Sequence, residues 1–333
     1  MNKYSYGTAI RSAFEYLLDN YPEFFIIGQG LWSPWYVGNT MTDLDKNFGK
    51  NRVIDTPVSE AAVTGLAVGA ALCGSKPLVV HPRIDFMLYA MDPVVNQAAK
   101  WSHMTGGRMA PGLTIRCIIN RGGEQGAQHS QSLHSWFTHI PGLRVVMPYS
   151  VEDARDLLIA SALCKDPVIF IDDNWLYREE EYLNPITAEK DLRDIEPKVI
   201  KEGKDITLIG SSYSTKLALD VSEILSSKYS VTSEVIDMRV LSPIKKTNLI
   251  KSITKTKNYA VIDGGTKTSG YASEIIASLS ESLPHNSLDS RPLRFTLPDS
   301  PAPTSRALEK IYYHDITNIV ESIIKNLNNE KII

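Results

Sequence analysis

A chain of 333 residues exceeds the size at which one hydrophobic core stops growing, so two domains are expected. With 43% hydrophobic and 22% charged residues it has the make-up of an ordinary folded protein, and a net charge of −3 without a clustered basic stripe argues against nucleic-acid and membrane-surface partners. The opening Met1-Asn-Lys-Tyr-Ser-Tyr-Gly7 lacks the apolar stretch of a signal peptide, and no run is long enough to span a bilayer. Cys73, Cys117 and Cys164 have no paired spacing, so reduced, buried thiols in a cytoplasmic protein are the expectation.

Ala9, Ile10, Ala13, Phe14, Leu17 and Leu18 recur at helical spacing within residues 4–20. After Pro22, Phe24-Phe-Ile-Ile27 predicts a short buried strand ending at Gly28-Gln29-Gly30, then an aromatic-rich loop with Trp32, Trp35 and Tyr36. A strand at 52–54 leads through Thr56-Pro57 into a helix with Ser59 as N-cap and Gly74 as C′ glycine. In that helix Val63, Leu66, Val68 and Leu72 are interleaved with alanines and glycines. No face is polar, which predicts burial all round, against another helix or a second subunit. Pro77-Leu-Val-Val80 is the next strand. Asp92-Pro93 predicts the start of a helix, with proline at its first position, running to about Ser102.

Leu113–Ile119 reads as a strand, followed by the glycine loop Arg121-Gly-Gly-Glu-Gln-Gly126, a helix at 131–138, a strand at Arg144–Met147, a helix at Val151–Leu163 and a strand at Val168–Ile171. Residues 173–203 gain charge and lose this rhythm. A second alternation follows, with strands at 205–210, 231–237, 259–263 and 293–296 and helices at 214–227, 244–254 and 270–282. A Pro-rich connector from Pro298 to Pro303 leads to a last helix near Ile316–Leu327. The pattern predicts an α/β protein of two domains, 1–185 and 204–333, joined by a linker at 186–203. Each domain is expected to be a mainly parallel sheet covered by helices.

Glu60 is the one charged residue in its helical segment. The helix dipole alone stabilises such a carboxylate by about 0.3–1 kcal/mol and explains many of them, but apolar surroundings demand a partner or a shared proton. His129, in Gln128-His129-Ser130-Gln131 after a strand and a glycine loop, falls where ligand and catalytic groups gather in open α/β sheets; a loop histidine without a role fits the same pattern. His129, His134 and His139 recur every five residues, about 500° around a helix, so they cannot share a face as zinc ligands. Phe86, a lone aromatic beside Asp85, is more often core than cofactor platform at such a place. Asp172-Asp173 is expected to cap and solvate a loop end. Asp263-Gly-Gly-Thr-Lys-Thr-Ser-Gly270 has the look of a phosphate cradle without the Walker spacing. Neither G-x-G-x-x-G after a strand nor G-x-S-x-G occurs, which argues against a dinucleotide dehydrogenase and a hydrolase elbow.

Several pieces, in order, point to one family. They are Arg52-Val-Ile-Asp-Thr-Pro-Val-Ser-Glu60, Gly69-Ala-Ala71, Asp92 to Ala99, Gly106-Gly107, Gln128-His-Ser-Gln131 and the run Phe137-Thr-His-Ile-Pro-Gly-Leu143. Val145 to Pro148, Pro167-Val-Ile-Phe170, Glu234 to Pro243 and Pro298 to Pro303 continue the series nearly end to end. The chain resembles the β subunit of thiamine-diphosphate-dependent 2-oxo acid dehydrogenases (pyruvate, branched-chain and acetoin types), within the transketolase superfamily. The resemblance implies a transketolase-like pyrimidine-binding domain followed by a transketolase C-terminal-like domain. It implies that Glu60 hydrogen-bonds N1′ of the cofactor's aminopyrimidine and favours the imino form, whose N4′ takes the proton from the thiazolium C2. It implies further that Phe86 stacks on that ring and that His129 faces the 2-oxo acid substrate, relaying protons or guiding an acyl acceptor. For its role Glu60 must donate a proton near neutral pH, so desolvation has to outweigh the helix dipole. Superfamily members hold the diphosphate and Mg²⁺ through Gly-Asp-Gly and a later Asn, a pair this chain lacks. The implied partner is therefore an α subunit carrying that pair, in an α₂β₂ assembly, with a lipoyl acyltransferase as a possible further partner and no metal ligand in this chain.

The chain departs from the family at two places. Gly28-Gln29-Gly30 stands where an acidic residue near the cofactor is common, and glutamine can hydrogen-bond but carries no charge. His81-Pro-Arg-Ile-Asp85 stands where an apolar run is more familiar. His81 and Arg83 would suit an anionic or polar substrate, while a salt bridge from Arg83 to Asp85 or a neighbour explains the arginine equally well. The leading expectation is a dehydrogenase β subunit. The alternative is a two-subunit carboligating enzyme with a sugar or keto acid acceptor. A non-catalytic scaffold subunit is disfavoured by the joint presence of Glu60, Phe86 and His129.

Overall fold

The structure is a computed structural model and describes residues 2–328. The chain forms two compact units. The first comprises the chain up to Arg121 with Trp136–Ile195 and Val240–Pro243; the second comprises Gly122–Ser135, Glu196–Arg239 and the chain from Ile244 onward.

The strands of the first unit are β1 (Asn2–Ser5), β2 (Phe24–Gln29), β3 (Val53–Thr56), β4 (Lys76–His81), β5 (Thr114–Ile119), β6 (Arg144–Val146), β7 (Val168–Asp173) and β8 (Glu180–Leu183). The second unit contains β9 (Lys198–Lys201), β10 (Ile206–Gly210) and β11 (Ser233–Asp237). After β12 (Val240–Ser242), which belongs to the first unit, come β13 (Tyr259–Thr266) and β14 (Leu293–Leu297). Seven strands form one sheet in the order β12-β6-β7-β5-β4-β2-β3, parallel except for the edge strand β12. Every residue of β5 and β7 is buried, as befits parallel strands covered on both faces. The second sheet has the order β14-β13-β10-β11-β9 and is parallel except for β9, while β1 and β8 pair as a short antiparallel ribbon. In the second unit Ile319 and Ile323 of the last helix, Ile316–Leu327, join Val221, Leu225, Leu208 and Ile262 in one core. This is the expected α/β architecture.

Five local expectations change. Asp92-Pro93 does not open a helix. The backbone is helical without a break from residue 84 to 104, passing through a 3-10 turn at Leu88–Ala90 and a π segment at Asp92–Ala98. Pro93 lacks an N–H and its ring would strike the carbonyl four residues back, and the wider π turn accommodates both defects.

The Glu60–Leu72 helix is covered on one side only. Val63, Thr64, Ala67, Val68 and Ala71 are buried, packed toward β4 and the 84–104 helical run. Ala61, Ala62, Gly65, Leu66 and Gly69 are exposed, with Leu66 at 57%. A sheet and one neighbouring helix can cover only one face, so apolarity all round does not become burial all round within this chain. The helix ends as expected: Gly74 has φ 95°, its N–H donates to Ala71 O, and Ser75 N–H donates to Ala70 O. The Ser59 side chain makes no cap hydrogen bond. Of the three free thiols only Cys117 is buried; Cys73 is exposed just past the helix and Cys164 is intermediate.

Asp172 and Asp173 are buried rather than solvated. Arg116 on β5 has no exposed surface and grips Asp172 at two points, Nε to Oδ1 at 3.0 Å and Nη2 to Oδ2 at 2.8 Å. It also donates to Thr40 Oγ1 at 2.8 Å and Tyr177 Oη at 2.9 Å. Asp173 pairs with Arg121 and accepts the Trp175 N–H at 3.0 Å. Successive strand residues point to opposite faces, so each aspartate meets its own arginine. A buried charge is tolerated when it is paired and hydrogen-bonded in this way.

Candidate active site

At the carboxyl ends of β2 and β3, Gly28, Gln29, Thr56, Pro57, Ser59, Glu60, Val63, Val80 and His81 line a small pocket. Gly28 permits the close approach of β4, since a Cβ there would lie 2.3 Å from Val80 O. The chain then turns through Gly30, whose φ is 72° and where a Cβ would enter the Tyr36 ring at 2.1 Å. Asp55 Oδ1 accepts from the Gly30 and Leu31 amides at 2.6 and 3.2 Å and so fixes this turn beside the pocket. Gln29 Nε2 donates to Tyr36 Oη at 2.9 Å, which leaves the amide oxygen of Gln29 as its acceptor. Glu60 opens its helix at the pocket, and among the described residues its carboxylate has no hydrogen-bond or ion-pair partner.

The pocket therefore brings Gln29, Glu60 and His81 together. His81 is buried, with Nε2 3.1 Å from Thr64 Oγ1, and burial pushes its imidazole down to about 4. At pH 7 it is neutral and offers no positive charge to an anion. Arg83 precedes the 84–104 helical run in extended conformation, and half-buried Phe86 lies on that run's first turn; neither lines the pocket. His129 belongs to the second unit, on the segment Gly122–Ser135, and is half-exposed.

That segment holds a group the histidine spacing gave no reason to select. His134 is buried, and its Nε2 lies 2.9 Å from Oδ1 of buried Asp263. Asp263 also accepts the amides of Gly265 at 3.0 Å and Ala272 at 3.1 Å. Burial alone would raise its proton affinity, but the His134 ring and the two amides outweigh burial and hold the carboxyl below the usual carboxylate range. The Thr268 amide and hydroxyl donate to Asp299 at 2.8 and 2.6 Å. Donors of the 263–270 loop that a phosphate would need are thus taken by carboxylates, and the loop does not form the suspected cradle. Among the described residues no group of three or more His, Cys, Asp or Glu side chains is placed to hold a metal ion, and no helix is long and apolar enough to cross a membrane.

Residues 2–179 match the family model described as transketolase, pyrimidine binding domain, and residues 196–319 match that described as transketolase, C-terminal domain. The mitochondrial pyruvate dehydrogenase E1 component subunit beta of Saccharomyces cerevisiae is 36% identical over 97% of this chain and 88% of its own. The corresponding subunit of Rickettsia bellii is 34% identical over 95% of this chain and 97% of its own, and the mitochondrial one of Homo sapiens is 32% identical over 91% and 81%. A solved structure described as split gene transketolase, inactive beta4 tetramer, matches with a TM-score of 0.78. It covers 98% of this chain and 99% of its own at 19% identity, which shows a common fold.

Proposed function

The chain belongs to the family of β subunits of thiamine-diphosphate-dependent 2-oxo acid dehydrogenases, within the transketolase superfamily, and from that premise we propose that it supplies the aminopyrimidine-facing half of a decarboxylating active site. The observation that carries this reading is the Glu60 carboxylate. It lines a pocket at a helix start with no bond to any described residue of its own chain, so its hydrogen-bonding capacity is open to a ligand.

Bound thiamine diphosphate supplies the nucleophilic carbon and the electron sink for loss of CO₂ from a 2-oxo acid. Glu60 holds and moves the proton shared with the pyrimidine N1′. The carbonyl oxygen of Gln29, left free by its bond to Tyr36, offers an acceptor in the same pocket. By the family resemblance, Phe86, outside this pocket's lining, is assigned the apolar surface for the ring, and His129 of the second unit an imidazole for the substrate. Gln29 cannot take up a proton, so Glu60 is the only carboxylate among the pocket's lining residues.

The diphosphate and Mg²⁺ are assigned to an α subunit, in an α₂β₂ assembly. The bare face of the Glu60 helix supports this, because Ala61, Ala62, Gly65 and Gly69 let another helix approach closely around Leu66. A lipoyl acyltransferase is the acceptor this reading favours. The polar-acceptor alternative loses one of its two cations, since His81 is neutral, and rests on Arg83 alone. Free thiols suit a reducing compartment such as the cytoplasm.

The test is to co-purify the chain with its α partner, add thiamine diphosphate and Mg²⁺, and follow CO₂ release across 2-oxo acids. Glu60→Gln should lower release by at least about 10²-fold, the usual scale of a lost acid–base group, while the subunits still assemble. Full activity in that variant would sink the reading.

A further inference from the structure

Gly122–Ser135 carries His129 and is fastened to the second unit near both ends. At its start the Gly122 amide donates to Tyr313 Oη at 3.0 Å and the Glu124 amide to Glu309 Oε1 at 2.8 Å. Near its end stands His134, with Nε2 on Asp263. We propose that His134 is a positioning residue, whose close contact with the Asp263 carboxylate clamps this segment and thereby sets where His129 stands for the reaction. The proposal rests on the reading of His129 given above.

The geometry allows the ring little freedom. Nε2 stands 2.9 Å from Asp263 Oδ1, at ion-pair distance, and Nδ1, the ring's other nitrogen, stands 3.1 Å from Ser132 Oγ. That second contact ties the residues immediately after His129 to the same imidazole. The Tyr271 ring meets His134 edge-on, centroids 6.0 Å apart at 79°, and a Cβ at Gly265 would sit 3.2 Å from His134 Cε1. Any swing of the ring gives up the contact with the Asp263 carboxylate, which is almost without water.

The clamp is separable from the fold around it. Without His134, Asp263 keeps the amides of Gly265 and Ala272, so the turn from β13 into the following helix retains its own bonds. His134→Ala removes the clamp. His134→Gln keeps a donor within reach of Asp263 and gives up the tie to Ser132.

Hydrogen exchange of the 122–135 segment in the assembled α-containing complex is the direct measurement, with CO₂ release followed in parallel. His134→Ala should speed exchange across residues 125–132 by about 10- to 100-fold, the scale of one lost contact to a buried charge, and slow release. His134→Gln should restore most of both. Unchanged exchange in folded His134→Ala, or failure of His134→Gln to restore protection, overturns the clamp. Faster exchange with unaltered release overturns its bearing on the reaction. His129→Ala, measured alongside, separates the two ideas: normal exchange with lost release supports the role of His129, and normal release removes it while the exchange result still decides the clamp.

Discussion

Glu60 opens a helix and Asp263, on β13, accepts an amide from the first turn of the helix that follows, yet the surroundings of the two carboxylates are opposite. Asp263 accepts two backbone amides and lies 2.9 Å from an imidazole, all within its own unit. Glu60 accepts nothing from the described part of the chain. The helices repeat the contrast. Val151–Leu163 and Glu60–Leu72 are equally long, yet the first is buried along nearly its whole length, with the Tyr6–Asn20 helix packed on it, while the second is bare on one face. A carboxylate or a helix face whose bonding is complete holds the fold together. One left incomplete in the single chain is available to another molecule.

The largest test of this contrast is on the completed side. Asp172→Ala should cost about 3–5 kcal/mol in chemical denaturation, because it strands the Arg116 guanidinium in the core. Asp263→Ala should cost about 3 kcal/mol by the same measurement, through two buried amides left without their acceptor and the lost contact with His134. A loss below about 0.5 kcal/mol in either variant would erase the distinction from Glu60.

His81 adds a pH arm. Its imidazole titrates at about 4 in the folded chain against 6.5 for an unperturbed one, with burial as the cause. Its contribution is complete above pH 6.5, where both states are neutral. Between pH 6.5 and 4 the unfolded chain takes up a proton that the folded chain refuses, so stability falls, by about 3 kcal/mol at most. Unfolding titrations at pH 7.5 and 5 should show this slope and lose that part of it in His81→Gln. An unaltered slope would mean that His81 is not the titrating group.

The smallest effects on stability belong to the incomplete side. Glu60→Gln and Leu66→Lys should each move the unfolding free energy of the isolated chain by no more than about 0.5 kcal/mol. Leu66→Lys should nonetheless prevent co-purification with the α partner, and normal assembly of that variant would show that the bare face is not the contact.

Much of the fold was legible in the chain itself. The last helix falls at Ile316–Leu327 as its periodicity predicts, Gly74 ends the Glu60 helix in the left-handed conformation its position called for, and β2, β4 and β7 lie where apolar runs placed them. Caps, turns and hydrophobic period are written within a few residues of where they act. The Glu60 position was legible for the same reason, as a lone charge in an apolar helix.

Tertiary structure decided the rest. It determined that Arg116 and Asp172 meet, that Asp263 finds His134, that Gly122–Ser135 packs with the second unit, and that Pro93 is absorbed by a π turn inside a longer helical run. It also determined which face of the Glu60 helix is covered. These are pairings between residues far apart in the chain, or consequences of what happens to lie alongside. Local pattern records what a residue can do, and burial and partnership depend on which distant elements the fold brings to it.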